Sequence, residues 1–268
     1  MTANEKSVIY KLLKTAADSN LGYFSPDFPK EDPAFSDDIE KASAQEVSSP
    51  NESQNLEPPE NPIHTEPAAA ETESPMTTIA AIAQKVAVCQ RCQLARTRHN
   101  TVPGVGPLKP VVMVIGEGPG HDEDMSGEPF VGPAGKLLDK ELAAIHLSRH
   151  TNTFIANIVK CRPPNNRTPL PEEAAACSSF LEAQIFVLKP KMILCAGSTA
   201  AKNLLKTDAG VGRLRGNFYD WNGIPVLVTY HPSALLRDAS LKRPAWDDLK
   251  LFASKLQILA PDYANQSK

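Results

Sequence analysis

Glu117 lies in Gly116-Glu117-Gly118-Pro119-Gly120, and three glycines in five residues let a backbone approach a ligand closely and turn N–H groups toward it. The acidic run His121-Asp122-Glu123-Asp124 follows directly. That run would repel a pyrophosphate, and the third Gly comes one residue too early for the dinucleotide fingerprint G-x-G-x-x-G. A second segment, Asn157 followed by Lys160-Cys161-Arg162-Pro163-Pro164-Asn165-Asn166-Arg167, combines an amide with a stiff, extended, basic loop suited to phosphate. A third, His231-Pro232-Ser233-Ala234-Leu235-Leu236-Arg237, offers an imidazole, two Leu and a cation. Taken singly, a Gly-rich turn or a lone His is as often structural as functional. Three such segments in one chain are harder to dismiss.

Four of the five cysteines form a further constellation. Cys89 and Cys92 make a C-x-x-C, Cys161 lies in the basic loop and Cys177 follows it. The spacing is open to a zinc knuckle, a redox pair or an iron-sulfur cluster. A structural zinc site usually supplies two tight pairs, and the fifteen residues between Cys161 and Cys177 favour the cluster. Cys195, within the apolar run of residues 192–196, reads as a buried small hydrophobe.

These segments need elements to position them, and the apolar pattern supplies an alternation. Residues 111–115 form a continuous apolar run suited to a strand buried on both faces, and residues 153–159, 191–196 and 225–229 predict three more strands. Helices are predicted from Thr77 or Thr78 to about residue 88, and over 133–145, 171–188, 198–205 and 244–259; those at 133 and 171 open on Pro. The pattern is that of a doubly wound three-layer α/β/α sandwich around a mainly parallel four-stranded sheet, whose ligands bind beyond the carboxyl ends of the strands. All three chemical segments follow predicted strands.

Charge divides the chain in two. The 268 residues carry 28 Lys and Arg against 31 Asp and Glu, a net charge of −3 that by itself argues against a nucleic-acid partner. Residues 1–75 hold five Lys, no Arg and fifteen Asp and Glu, giving −10; the remaining 23 basic and 16 acidic residues give +7. Residues 1–75 also hold nine of the 24 prolines, and residues 37–75 almost no large apolar side chains, so this part is expected to form a mostly disordered acidic extension. Val8, Ile9, Leu12 and Leu13 predict one short helix near residues 5–20, a possible docking peptide for a protein partner. Residues 76–268 suffice for one α/β domain. No apolar run approaches a bilayer span and no signal peptide is evident, so the chain reads as cytosolic, without a membrane partner, and as a monomer.

Gly116 to Gly120, Pro129-Phe130-Val131-Gly132, Asn157 to Pro164 and His231 to Arg237, together with the four cysteines, resemble the motifs of the family 4, iron-sulfur uracil-DNA glycosylases, in the family's order. The likeness runs over about residues 79–259. It implies a uracil-DNA glycosylase-like fold and a 4Fe-4S cluster on Cys89, Cys92, Cys161 and Cys177. The reaction it implies is hydrolysis of the N-glycosidic bond of uracil flipped out of single- or double-stranded DNA, leaving an abasic site. Phe130 then resembles the aromatic that stacks on the base, Asn157 the amide that reads its edge, and His231 the donor to uracil O2. The backbone around Gly118 adds N–H groups, and Glu117 is the candidate for orienting water or stabilising the oxocarbenium. Leu235 resembles the wedge that fills the vacated stack, and Lys160, Arg162, Arg167 and Arg237 become phosphate contacts.

Glu117 distinguishes the chain from the branch that has an apolar residue at that position. The absence of an Arg/Lys-rich insertion distinguishes it from the branch that becomes attached to DNA. The cluster is expected mainly to clamp the basic loop, with redox sensing as a further role. A non-catalytic iron-sulfur DNA-binding or redox-sensing module is the alternative, but such a module has no use for Glu117, Phe130, Asn157 and His231 together. A nucleotide-binding Rossmann enzyme would need an acidic residue where the chain has Asn157 and Lys160.

Overall fold

The computed structural model describes residues 78–267, and the acidic extension with its predicted helix near residues 5–20 lies outside them. Helix α1 (Ile79–Ala87) starts where Thr78 caps it, the Thr78 Oγ1 accepting from the Ala81 N–H at 3.1 Å. The sheet then follows as β1 (Val112–Gly116), β2 (Thr153–Asn157), β3 (Met192–Ala196), β4 (Phe218–Trp221) and β5 (Ile224–Thr229). Its spatial order is β2-β1-β3-β5-β4. All neighbours are parallel except β4, which runs antiparallel to β5.

The sheet therefore has five strands, one more than the apolar pattern predicts. Edge strand β4 is half exposed, so it lacks the continuous apolar run that marks the buried strands. Its signal is Asn222-Gly223, where both residues have positive φ and close a two-residue hairpin onto β5. The four buried strands match the prediction to within two residues at each end.

Side chains alternate across the sheet and build a layer on each face. Met113, Ile115, Ile193, Cys195, Val226 and Val228 pack in one core with α1, α4 (Pro171–Leu188) and α5 (Ser198–Leu205). Val112, Val114, Leu194 and Leu227 pack in the other with α3 (Pro133–Ala143) and α8 (Lys242–Leu259). Burial on both faces is why these strands read as continuous apolar runs. Cys195 is fully buried, and burial pushes its thiol far up.

Three short helices escape the apolar pattern: α2 (His121–Ser126), α6 (Val211–Leu214) and α7 (Pro232–Arg237). None is long enough to show a repeat, and each is fixed by local hydrogen bonds instead. For α2, the Glu123 carboxylate reaches back to the Gly120 N–H at 3.0 Å. No helix of the described residues is long and apolar enough to cross a membrane.

Because β2 and β3 flank β1 on opposite sides, the chain reverses direction across the sheet between β1 and β3. The carboxyl ends of these strands are the expected ligand position for such a sheet.

Candidate active site

A cleft of about 1000 Å³ opens at that end of the sheet. Its lining includes Glu117 and Gly118 after β1, Phe130, Asn157 at the end of β2, and Tyr230 and His231 after β5. Three sequence segments that together span more than a hundred residues thus share one wall.

Asn157 is the last residue of β2 and is 2 % exposed; its Oδ1 is buried with no hydrogen-bond partner. An orphaned buried acceptor costs about 1–3 kcal/mol, so the position calls for a donor from a ligand. Gly116 pairs directly with Asn157 across β1 and β2. A Cβ at Gly116 would lie 2.5 Å from Asn157 Oδ1 and 2.6 Å from Phe130 Cζ, so its missing side chain lets the amide and the ring approach.

Phe130 adopts φ 56°, a left-handed conformation that costs a bulky residue about 1–3 kcal/mol. Its ring stacks on His231, with centroids 5.4 Å apart and planes at 29°. The Val131 and Gly132 N–H groups donate to Glu123 Oε1 at 3.0 and 3.1 Å. Glu123 thereby fixes the Phe130 turn as well as the start of α2.

His231 caps α7: its Nδ1 accepts from the Ser233 N–H at 3.1 Å and lies 2.8 Å from Ser233 Oγ. A backbone N–H can only donate, so Nδ1 is unprotonated and the ring proton is on Nε2. Burial, aided by Arg237, pulls the imidazole down to about 4. The ring is therefore a neutral hydrogen-bond donor at physiological pH.

Glu117 Oε2 accepts a hydrogen bond from Thr199 Oγ1 at the start of α5. Thr199 is a functional-site residue that the sequence reading missed. It follows a strand, like the other site residues, but carried no motif. The bond crosses the β1/β3 switch point and holds the carboxylate over the cleft. On the role that the resemblance implies for Glu117, replacement Glu117→Gln is expected to lower the single-turnover rate of base release about tenfold, since a negative charge beside the sugar would be lost. A loss of threefold or less would remove Glu117 from the catalytic group.

Lys160 and Leu235 are placed differently by the structure, and Arg167 is paired. Lys160 is 1 % exposed, its Nζ donating to the Asn157 carbonyl at 2.9 Å and to Gln184 Oε1 at 2.7 Å. It faces inward and cannot meet a phosphate. Arg167 makes a bidentate pair with the buried Glu173, at 2.8 and 2.7 Å, so its head braces the loop against α4 while the residue still lines the cleft. Leu235 is 1 % exposed on the inner face of α7, whereas its neighbour Leu236 is 51 % exposed. On a short helix adjacent residues point about 100° apart, so one of the pair must turn inward. Arg237 lines the cleft, and Arg162 lies beside it, donating to Asn166 Oδ1 at 2.8 Å and lying 3.1 Å from His121 Nδ1, both of them lining residues.

Cys89, Cys92, Cys161 and Cys177 line one small cavity between α1 and α4, away from the cleft. Burial pushes the Cys177 thiol up to about 11, against the opposing pull of Lys160, and raises Cys161 too. Arg98 Nη1 donates to Cys161 Sγ at 3.2 Å and to the Cys89 carbonyl at 2.9 Å, tying the C-x-x-C arm to the basic loop. Among the described residues no three Cys, His, Asp or Glu side chains are grouped to hold a single metal ion. Four thiols line one cavity together with Arg91, Arg98 and Lys160, a donor set whose chemistry suits a thiolate-bound metal group.

Comparison with known proteins agrees with this geometry. Residues 103–250 match the family model of the uracil DNA glycosylase superfamily. The type-4 uracil-DNA glycosylase of Archaeoglobus fulgidus is 40 % identical over 183 residues, 65 % of this chain and 92 % of that protein. Its counterpart from Thermotoga maritima is 43 % identical over 173 residues, covering 63 % and 90 %. A type-5 uracil-DNA glycosylase from Pyrobaculum aerophilum is more distant, 31 % identical over 150 residues, covering 50 % and 66 %. With the cleft, its facing residues and the four-cysteine cavity, these likenesses place the chain among the type-4 members of the uracil-DNA glycosylase superfamily.

Proposed function

We propose that this protein removes uracil from DNA, hydrolysing the N-glycosidic bond of a flipped deoxyuridine and leaving an abasic site. The observation that carries the reading is the orphaned Oδ1 of Asn157, buried in the cleft wall beside Phe130. Uracil offers an N–H at N3 to that oxygen, and its O4 accepts from the Asn157 amide. Cytosine presents an acceptor at N3 and a donor at N4, which sets like against like at both positions.

Phe130 supplies the stacking surface that offsets the lost base stacking. As the bond breaks, negative charge gathers on uracil O2 and positive charge on the sugar. The neutral His231 donates from Nε2 to O2, and N–H groups around Gly118 add to the stabilisation. Glu117, held by Thr199, faces the positive sugar and orients the water. Arg237 at the cleft wall and Arg162 beside it contact phosphates, which makes affinity salt-dependent.

The exposed Leu236, rather than Leu235, enters the stack. The two leucines separate cleanly: Leu236→Ala is expected to lower the single-turnover rate on duplex about tenfold with an unchanged melting temperature. By contrast, Leu235→Ala should cost about 2–4 kcal/mol of stability in a denaturant titration. A reversed pattern would return the wedge to Leu235.

Cys89, Cys92, Cys161 and Cys177 are the ligands of a 4Fe-4S cluster, which when bound cross-links the C-x-x-C arm, the basic loop and α4. The same reading takes the protein as a cytosolic monomer. Incubation with single- and double-stranded oligonucleotides, each carrying one uracil, tests the proposal. Alkali-labile sites at the uracil are expected, none at cytosine, and freshly purified protein should show the broad visible absorbance of an iron-sulfur centre. Failure to release uracil from either strand form would overturn the assignment.

A further inference from the structure

Phe130 holds a backbone conformation unfavourable for an aromatic residue, so something must hold it there. One agent is Arg149, 8 % exposed and outside the residues that line the cleft. Its Nη1 donates to the Pro129 carbonyl at 2.8 Å and its Nη2 to the Phe130 carbonyl at 2.7 Å. Asp139 on α3 anchors the guanidinium, its Oδ1 lying 2.9 Å from Nε and 2.8 Å from Nη2. Gly135, also on α3, leaves space for the Phe130 carbonyl, which a Cβ there would strike.

The pieces fit together geometrically. Two successive carbonyls converge on one guanidinium while Glu123 collects the next two N–H groups on the other side. The turn is thus gripped by opposite charges, and the ring is left to project toward Asn157 and His231. A planar fork with fixed donors can serve both carbonyls together; a Lys ammonium on a flexible stem cannot do so with the same geometry.

We propose that Arg149 is a positioning residue for base excision: it fixes the Phe130 ring in the stacking orientation without touching base, sugar or phosphate. The inference rests on the glycosylase reading above. Its effect falls on the step after DNA is bound, because the DNA-facing rim is left intact.

The test compares wild type, Arg149→Met, Arg149→Lys and Asp139→Asn in single-turnover uracil release across a range of enzyme concentrations. For Arg149→Met the saturating rate is expected to fall about thirtyfold while the half-saturating concentration stays within twofold. Arg149→Lys should recover part of the loss, and Asp139→Asn should fall about threefold to fivefold with both carbonyl contacts retained but unanchored. Saturating rates within twofold of wild type in all three variants would overturn the inference, as would a loss expressed only in the half-saturating concentration. Should Arg149→Met fail to fold, the Lys and Asn variants decide by the same two quantities. Wild-type protein that releases no uracil overturns the functional reading itself, whereas normal wild-type release with unaffected variants overturns only the role of Arg149.

Discussion

Replacing Gly116 with Ala is expected to reduce the single-turnover rate of uracil release by at least about a hundredfold. The added methyl would sit 2.5 Å from Asn157 Oδ1 and 2.6 Å from Phe130 Cζ, and neither neighbour has room to yield. Asn157 is held by its place at the end of β2, in register with Gly116 itself. Phe130 is held by the turn that Arg149 and Glu123 grip. A clash of about an ångström must therefore displace the edge-reading amide, the stacking ring, or both. The fold should persist, because the substitution lies at the carboxyl end of β1, beyond Val112 to Ile115, which fill the two cores, and the only core residue it strikes, Phe130, borders the cleft. The measurement is uracil release under saturating enzyme beside a thermal melt; a variant that keeps more than a tenth of the wild-type rate would show that the two side chains do not have to meet the base where the structure holds them.

Removing the imidazole by His231→Ala is expected to cost about 10²–10³ in the same rate, the range for loss of one preorganised donor to a developing oxyanion. The pH dependence carries a sharper expectation. Burial pulls His231 down to about 4, so the ring stays neutral from pH 5 to 8 and the wild-type rate should show no inflection near 6.5 from this group. An inflection there that vanishes in His231→Ala would mean that the ring titrates normally and acts as a cation.

The same shift has a consequence for stability. Between about pH 6.5 and 4 the unfolded chain binds this proton and the folded chain does not, so His231 contributes to a loss of stability as pH falls through that window. The contribution is absent above pH 6.5. His231→Gln, which cannot titrate, should therefore lose less stability than wild type between pH 7 and pH 5, as read from denaturant midpoints.

The family motifs carry Asn157 and His231 to the cleft because one ends β2 and the other lies two residues beyond β5, strands whose apolar runs are plain in the sequence, while Phe130 sits in the turn between α2 and α3. A parallel sheet buried on both faces forces that plainness, and its carboxyl ends gather whatever the following loops carry. Edge strand β4 and the short helices α2, α6 and α7 were harder to read, being too exposed or too brief to show a period. Lys160 and Arg167 illustrate another limit. A basic loop in sequence says nothing of which cations turn inward or pair: Lys160 is buried against Gln184, and Arg167 pairs with Glu173 at the cleft wall, both partners lying on a helix that the sequence places downstream but cannot dock.

Residue type and order alone determined the alternation of strand and helix, the separation of a −10 segment from a +7 remainder, and the four-cysteine pattern. Those properties are local, set by apolar runs, turn residues and composition. Which leucine of the pair at 235 and 236 faces out, which threonine holds Glu117, and which arginine grips the Phe130 turn were decided only by the tertiary structure. Each is a contact between distant segments, and such contacts follow from strand register and helix docking rather than from any spacing along the chain.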